Sequence, residues 1–187
     1  MGLVRLYRAR LGDEFEFKFM ILGFTGHRPS GLPGRYSSRT YNALLDTATY
    51  VLHQYRPVAV ISGFALGWDI AVAEASLNLN IPLIAAVPFR GQENRWSTLN
   101  QMQYRYFISR ASQVHITCDG GYTTQAMQLR NQWIVDRCNV LMGLCNGTSG
   151  GTVNCINYAL AQNRQSFNCW NTFLYFYDQN HSNYKGF

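Results

Sequence analysis

The sequence predicts an α/β protein, a Rossmann-like three-layer sandwich with a mostly parallel central sheet. Short apolar runs alternate along the chain with amphipathic or alanine-rich segments of helical length. Turns rich in glycine and proline separate the two kinds of segment. This alternation is typical of parallel sheets that are covered by helices on both faces and joined by right-handed crossovers.

The predicted elements follow one another at regular spacing. Apolar residues recur on one face of the helix predicted for residues 38–55, and Pro57 ends that helix. An alanine-rich helix over 68–79 suits close packing, and further helices are predicted for 97–112, 123–138 and 150–163. The predicted strands are Phe19–Phe24, Val58–Phe64, Ile81–Val87, Val114–Cys118, Val140–Cys145 and Ser166–Trp170.

A chain of 187 residues suits one domain with short additions at its ends. We place the Rossmann-like domain at residues 20–172, after an N-terminal extension over 1–19 and before an aromatic C-terminal tail over 173–187. The alternating F-E-F-K-F within the extension predicts either an added edge strand or a disordered segment.

Composition excludes several classes of protein. No apolar run reaches the 18 residues of a membrane-spanning helix, and the N-terminus has no signal-peptide core. The five cysteines form no C-x-x-C pair, which indicates reduced thiols in a cytoplasmic protein and neither a disulfide framework nor a metal site. The net charge of +6 comes almost entirely from scattered arginines. It favours an anionic partner or is simply a solvated surface.

Three turns each follow a predicted strand and precede a predicted helix: G-F-T-G-H-R-P at 23–29, S-G-F-A-L-G-W-D at 62–69, and N-G-T-S-G-G-T-V-N at 146–154. In a parallel sheet all three emerge at the carboxyl edge, where α/β proteins bind their ligands. Their convergence predicts a binding site, although none matches the usual dinucleotide or P-loop motif.

The third turn has the composition of a phosphate cradle. Gly147, Gly150 and Gly151 permit close backbone approach to a ligand, and a helix N-terminus faces the loop. Ser149 and Thr152 supply hydroxyls, and no acidic residue occurs between positions 137 and 177. The alternative is a plain helix entry in which one of these two hydroxyls is the N-cap.

The second turn places Asp69 at the start of a helix. This carboxylate either accepts hydrogen bonds from ribose hydroxyls or caps the helix. Ser62 and Gly63 stand where the strand ends, and Gly67 completes the turn. We expect their backbone to line the ligand.

The first turn adds Gly26, His27 and Arg28, of which Arg28 is the best candidate for a charged phosphate contact. His27 is either an acid–base group or a structural hydrogen-bonding residue. Arg130 and Asn131, in R-N-Q-W-I-V-D, are candidates to contact a base or a ribose. The alternative for Arg130 is a surface salt bridge with Asp136.

Five motifs in order resemble the SLOG superfamily, a Rossmann-like group that includes the DNA-processing protein A family and the LOG phosphoribohydrolases. The likeness is greatest to the small, single-domain YpsA-like members. The motifs are T-G-H-R-P (25–29), S-G-F-A-L-G-W-D (62–69), V-P-F-R-G-Q-E-N-R-W (87–96), R-N-Q-W-I-V-D (130–136) and G-T-S-G-G-T-V-N (147–154). The resemblance implies a nucleotide or nucleotide-derived ligand, such as NAD or ADP-ribose, held by the three turns.

The resemblance leaves the activity open, and the catalytic residues are unknown. LOG enzymes carry a glutamate three residues after the threonine of G-G-x-G-T-x-x-E, where this chain has Cys155. The missing carboxylate favours a sensor or a sequestering protein, for which related domains suggest a role in phage–bacterium conflict, over a nucleotide N-glycosidase. In a glycosidase Asp69 or Glu93 would have to supply the carboxylate.

The expected partners follow from the same resemblance. We expect a nucleotide-type small molecule, no cofactor, no metal and no membrane. A homo-oligomer is also expected, because relatives often assemble and exposed aromatic residues favour interfaces. Single-stranded DNA is the weaker alternative, since the chain has no stripe of basic residues.

Overall fold

The structure is a computed structural model that describes residues 19–182. All but the last residue of the predicted N-terminal extension, and residues 183–187 of the predicted tail, lie outside the described part. No helix within 19–182 has both the length and the apolar character needed to cross a bilayer.

Within residues 19–182, six parallel strands alternate with six α-helices, and the sequence predicts all six strands and the first five helices. The strands are β1 (Ile21–Gly26), β2 (Ala59–Ser62), β3 (Leu83–Phe89), β4 (Gln113–Cys118), β5 (Val140–Leu144) and β6 (Gln165–Asn168). The helices are α1 (Ser38–Tyr55), α2 (Trp68–Asn78), α3 (Thr98–Ile108), α4 (Thr124–Arg137), α5 (Gly151–Ala161) and α6 (Trp170–Ser182). The α/β, Rossmann-like prediction is confirmed.

The strands form one sheet in the order β4-β3-β2-β1-β5-β6, and every pair is parallel. The chain moves outward from β1 to β4, returns to place β5 beside β1, and then moves outward on the other side. The order therefore reverses between β1 and β5. Open α/β sheets bind ligands at such a switch point, beyond the carboxyl ends of the strands.

Each face of the sheet has its own core. On one face, α1, α2, α3 and α6 contribute side chains such as Leu44, Trp68 and Phe173, all fully buried. On the other face, α4 and α5 bury Ile134 and Cys155 against Leu141 of β5. Both faces are covered, which explains why the central strands have near-continuous apolar sequences.

Strand boundaries differ from the prediction because backbone pairing between strands, and not the extent of an apolar run, sets where a strand begins and ends. The run Phe19–Phe24 predicts a strand, but β1 begins two residues later and Phe19 is 77% exposed. β1 continues through Gly26 because that residue and the one before it pair with β5. Likewise β3 extends to Phe89, which pairs with Cys118, beyond the predicted end at Val87.

Helix α6 crosses residue 172, where the sequence suggested that the aromatic tail begins. It starts at Trp170, so the last strand ends at Asn168 and does not reach the predicted boundary. α6 packs along α1, where Phe173 is fully buried and Arg39 stacks on the ring of Tyr177 at 3.8 Å. The aromatic residues of α6, most of which the sequence assigned to the tail, therefore complete a helical layer.

Candidate functional site

The loops after β1 and β5 meet at the switch point of the sheet. The backbone N–H of His27 donates to the carbonyl of Leu144 at 3.0 Å, which extends the pairing of β1 with β5 by one residue. The predicted first and third turns are thus joined at the carboxyl edge of the sheet.

His27 fixes the shape of the loop after β5. Its Nε2 lies 2.8 Å from Oδ1 of Asn146 and 3.0 Å from the backbone N of the same residue. The same Oδ1 accepts from the backbone N–H and the hydroxyl of Thr148, at 3.0 and 2.7 Å. The ring edge of His27 rests against Trp170, with centroids 5.7 Å apart. These contacts match the structural interpretation of His27.

Asn146 is the residue that the sequence reasoning did not single out. Its side-chain oxygen accepts from the backbone N–H two residues further on. Asparagine is common in turns because it readily forms this contact. The signal was available, because Asn146 directly follows an apolar strand and precedes a glycine.

The glycine loop itself is open. A β-carbon added at Gly147, Gly150 or Gly151 would meet no other described atom within 4 Å. Ser149 beside them is exposed, whereas Thr152 is buried. Helix α5 has Gly150 as its N-cap and no side-chain capping bond, so neither predicted hydroxyl caps it. The free N–H groups of its first turn therefore face the loop, and that turn carries no acidic residue.

The second turn, between β2 and α2, is closed by internal contacts. The hydroxyl of Ser62 donates to the carbonyl of Asp69 at 2.8 Å and accepts from the N–H of Phe64 at 3.2 Å. Gly67 has a φ of +97°, and a β-carbon there would lie 2.6 Å from the carbonyl oxygen of His27. Gly26 presses against Trp68 in the same way. The turn packs against the first turn, and all of its residues except the half-buried Leu66 are buried.

A buried ion pair lies beneath the site. Oδ2 of Asp69 is 3.5 Å from Nη1 of Arg130 and accepts from the N–H of Ala65 at 3.3 Å. The same Nη1 donates to the carbonyl of Gly63. The two side chains are only 6% and 8% exposed. A β-carbon on Gly63 would lie 1.7 Å from Nη1, so only glycine admits the guanidinium.

Burial dominates the electrostatics of this pair. Desolvation raises the pKa of Asp69 against the opposing pull of Arg130, and it lowers the pKa of Arg130 against the pull of Asp69. Oδ1 of Asp69 and Nε of Arg130 have no hydrogen-bond partner among residues 19–182. The alternative for Arg130, a surface salt bridge with Asp136, does not form, because the guanidinium is buried against Asp69 and Gly63. Asp136 accepts from the hydroxyl of Tyr158 at 3.0 Å.

Arg28 and Asn131 lie at the rim. Arg28 is exposed, and its Nη2 lies 3.9 Å from the sulfur of Met127 on α4. The side-chain amide of Asn131 donates to the carbonyl of Gly151 at 3.3 Å and so ties α4 to the start of α5. Arg130 and Asn131 both lie within α4.

Cys155 stands three residues after Thr152, where the resemblance to LOG enzymes predicts a glutamate. It is buried, with its sulfur 4.0 Å from the carbonyl of Asn131. Burial raises the pKa of this thiol to about 11. It therefore stays neutral near pH 7 and cannot replace a carboxylate. Within residues 19–182 no cluster of three or more histidine, cysteine or acidic side chains has the arrangement of a metal site.

Comparison with known proteins agrees with this architecture. The model of the YspA SLOG family matches residues 42–179. The chain belongs to the YspA SLOG family. A relative of this SLOG protein is the uncharacterized SPbeta prophage-derived protein YoqJ of Bacillus subtilis (strain 168). It is 29% identical over 115 residues, which cover 53% of this chain and 67% of YoqJ.

Solved structures of DNA processing protein A (DprA) share the fold. The Streptococcus pneumoniae protein superposes with a TM-score of 0.57 at 17% identity, over 81% of this chain and 50% of that one. The Helicobacter pylori protein, described for its single-stranded DNA binding mode, gives 0.58 at 16% identity, over 84% and 68%. The SLOG chain thus spans half the length of the first DprA, and at these identities the likeness establishes the fold alone.

Proposed function

We propose that this SLOG protein binds a nucleotide or nucleotide-derived anion at the switch point, as a sensor or a sequestering protein. The observation that carries the proposal is the open glycine loop at 147–151. The backbone N–H groups at the start of α5 have no capping side chain, and the space beside the glycines of this loop is open. We assign the phosphate to this loop.

The electrostatics of the open loop favour an anion. Free N–H groups and the helix dipole place partial positive charge at the start of α5. Arg28 forms no ion pair with any residue of 19–182, so its guanidinium is available to a phosphate. The net charge of +6 attracts the same class of ligand from a distance.

The buried turn after β2 has a supporting part in this proposal. Asp69 is engaged by Ala65 and Arg130 and is almost wholly buried, so we assign it to shaping the site and not to the ribose. The exposed Ser149 and the half-buried Asn131 flank the loop. We assign contacts with the sugar to these two side chains.

Binding is favoured over cleavage of an N-glycosidic bond. A glycosidase needs a carboxylate beside the forming oxocarbenium ion. The buried, neutral thiol of Cys155 stands at the expected position. Apart from Asp69, the candidate source of this carboxylate is Glu93. It is engaged by Arg105 on α3 at 3.8 Å, on the β3 side of the sheet.

Single-stranded DNA is a second candidate, favoured by the fold shared with H. pylori DprA together with the positive charge. Tyr122, at the carboxyl edge after β4, is 64% exposed and offers a stacking surface for a base. DNA binding would weaken steeply as salt is added, whereas binding in a preorganised loop would weaken little.

A thermal-shift panel tests the proposal with AMP, ADP-ribose, NAD, a cyclic dinucleotide and a short single strand. Saturation at about 100 times the dissociation constant adds about 2.7 kcal/mol to stability, which is readily detected. We expect a shift with at least one nucleotide, and chromatography of that mixture should show the ligand intact. A shift with the single strand alone would overturn the proposal in favour of DNA.

Arg28→Ala provides the site-specific arm of this experiment. The loss of a charged hydrogen bond should weaken nucleotide binding by about tenfold to a hundredfold. Arg105→Ala is the control, because it removes another exposed arginine, which lies on α3. Equal affinity in the two variants would remove Arg28 from the site.

A further inference from the structure

The strand β4 is an outer strand of the sheet that residues 19–182 form. It pairs with β3 on one side, and on the other side no strand among residues 19–182 pairs with it. All six of its residues, Q-V-H-I-T-C, are at least partly exposed. It carries no charge and no proline, the devices that usually keep an edge strand from pairing.

The free edge presents a regular row of backbone hydrogen-bonding groups. Ser112 donates its N–H to Leu83 of β3 at 2.8 Å. The carbonyl of Leu83 thus faces β4, so the odd-numbered residues of β3 bond to Gln113, His115 and Thr117 in the observed register. Since successive residues of a strand direct these groups to alternate sides, Val114, Ile116 and Cys118 direct theirs away from the sheet. Three backbone N–H and three backbone C=O groups of β4 therefore have no partner strand among residues 19–182.

An apolar surface flanks this edge on both faces. On the face of α4, the ring of His115 stacks on that of Trp133 with centroids 4.3 Å apart. The guanidinium carbon of Arg137 lies 4.5 Å from the centroid of the same Trp133 ring. Leu129, one turn before Trp133 on α4, is 41% exposed. On the face of α3, Val114 is 45% exposed beside a cavity of about 330 Å³ that also contacts Ile116.

We propose that two copies of this chain pair antiparallel through β4 and form a continuous twelve-stranded sheet around a two-fold axis. A second copy is favoured because the edge is self-complementary. With His115 opposite His115 of the partner subunit, Val114 lies opposite Ile116 of the partner subunit, and these two outward-facing residues can exchange both backbone hydrogen bonds. The outward backbone groups of Val114 and Ile116 are then satisfied in both copies, and the side chains keep the same faces.

The same register pairs the side chains of the edge. On the α3 face Val114 lies opposite Ile116 of the partner subunit, twice, which buries the exposed valine and covers the cavity beside it. On the α4 face the two His115–Trp133 stacks meet near the axis. Burial of aromatic and β-branched side chains of this kind is typical of homodimer interfaces.

Charge complementarity selects the antiparallel arrangement. Arg110 precedes β4 and Asp119 follows it, both are exposed, and neither has an ion pair among residues 19–182. Arg110 rests on the ring of Tyr106 at 4.3 Å. When two strands run in opposite directions, each Arg110 comes beside the Asp119 of the other copy. No like charges face each other along the strand itself.

Analytical ultracentrifugation of the full chain over a concentration series tests the proposal. We expect a dimer for the wild type and a monomer for Val114→Lys, which places a charge on the edge. Leu160→Lys is the matched control, because this leucine is similarly exposed but lies on α5. Circular dichroism establishes that each variant is folded. A wild-type monomer, or a dimer abolished by Leu160→Lys and not by Val114→Lys, would overturn the proposal.

A charge swap tests the register independently. Arg110→Asp and Asp119→Arg should each weaken the dimer, and the double variant should restore it. Failure of the double variant to recover would overturn the antiparallel pairing. If the wild type is monomeric yet the amides of β4 exchange slowly with solvent, another segment of the chain covers the edge. Nucleotide binding at the switch point is expected to be equal in all variants, so this outcome is separable from the proposed function.

Discussion

The turn after β2 and the loop after β5 contain the same residue types, but the fold uses them in opposite ways. Both combine glycines with hydroxyl side chains at the start of a helix. In the turn after β2, the space at Gly63 is filled by Arg130, and Gly67 presses against His27. In the loop after β5, the space beside each glycine is empty.

The comparison separates two reasons for placing glycine at a strand-to-helix turn. In the turn after β2 the glycines let protein atoms approach each other closely, whereas in the loop after β5 they leave room for a bound molecule. The closed turn holds a buried ion pair and positions the first turn. The open loop keeps its backbone N–H groups unused. We therefore expect stability to depend on the closed turn and ligand affinity to depend on the open loop.

Breaking the ion pair should have the largest effect on stability. Arg130→Met leaves the carboxyl of Asp69 buried without its partner, which typically costs about 3–5 kcal/mol. Urea unfolding measures the loss. The double variant with Asp69→Asn should lose less, because no unpaired charge remains. Arg28→Ala, on the open side, should change stability by no more than about 0.5 kcal/mol. Similar losses for Arg130→Met and Arg28→Ala would contradict the division between the two regions.

The two glycine substitutions test the comparison most directly. Gly63→Ala places a methyl group against the guanidinium of Arg130 and should destabilise the protein by about 1–3 kcal/mol or more. Gly151→Ala meets no atom and lies in the first turn of α5, so stability should hold or rise slightly. Nucleotide affinity should fall in Gly151→Ala, because the methyl group occupies the space beside the free N–H groups. A stable Gly63→Ala would show that the turn after β2 is not closed in solution.

Replacing His27 tests the contact between the two regions. His27→Ala removes the interactions with Asn146 and should cost about 1 kcal/mol in stability. It should also weaken nucleotide binding, because the loop after β5 loses its anchor. His53→Ala, an exposed histidine on α1, is the control and should change neither quantity. If His27→Ala binds nucleotide as tightly as the wild type, the loop keeps its shape without this side chain.

The sequence predicted the sheet, the alternation of elements and the convergence of the turns, because hydrophobic period and turn composition are local properties. It did not predict which turn is open. That depends on Arg130, which lies 67 residues after Gly63 in the chain and reaches it only once the fold has formed. The packing of α6 on α1 was missed for a related reason. Its aromatic residues show a helical face only when α1 is present to cover it.

Cys155 marks where the open region ends, and its titration gives the smallest effect. The ordinary pKa of 9.0 for a thiol rises to about 11 for this residue because it is buried behind the loop. Between these two values the unfolded chain releases the proton while the folded chain keeps it, so rising pH favours unfolding. By pH 10 the loss from this thiol alone should be about 1 kcal/mol. Urea unfolding at pH 8 and pH 10 should therefore show a smaller alkaline loss for Cys155→Ala than for the wild type. Equal losses would mean that solvent already reaches the sulfur in the folded protein, and the open region would then extend past the first turn of α5 into the core beneath it.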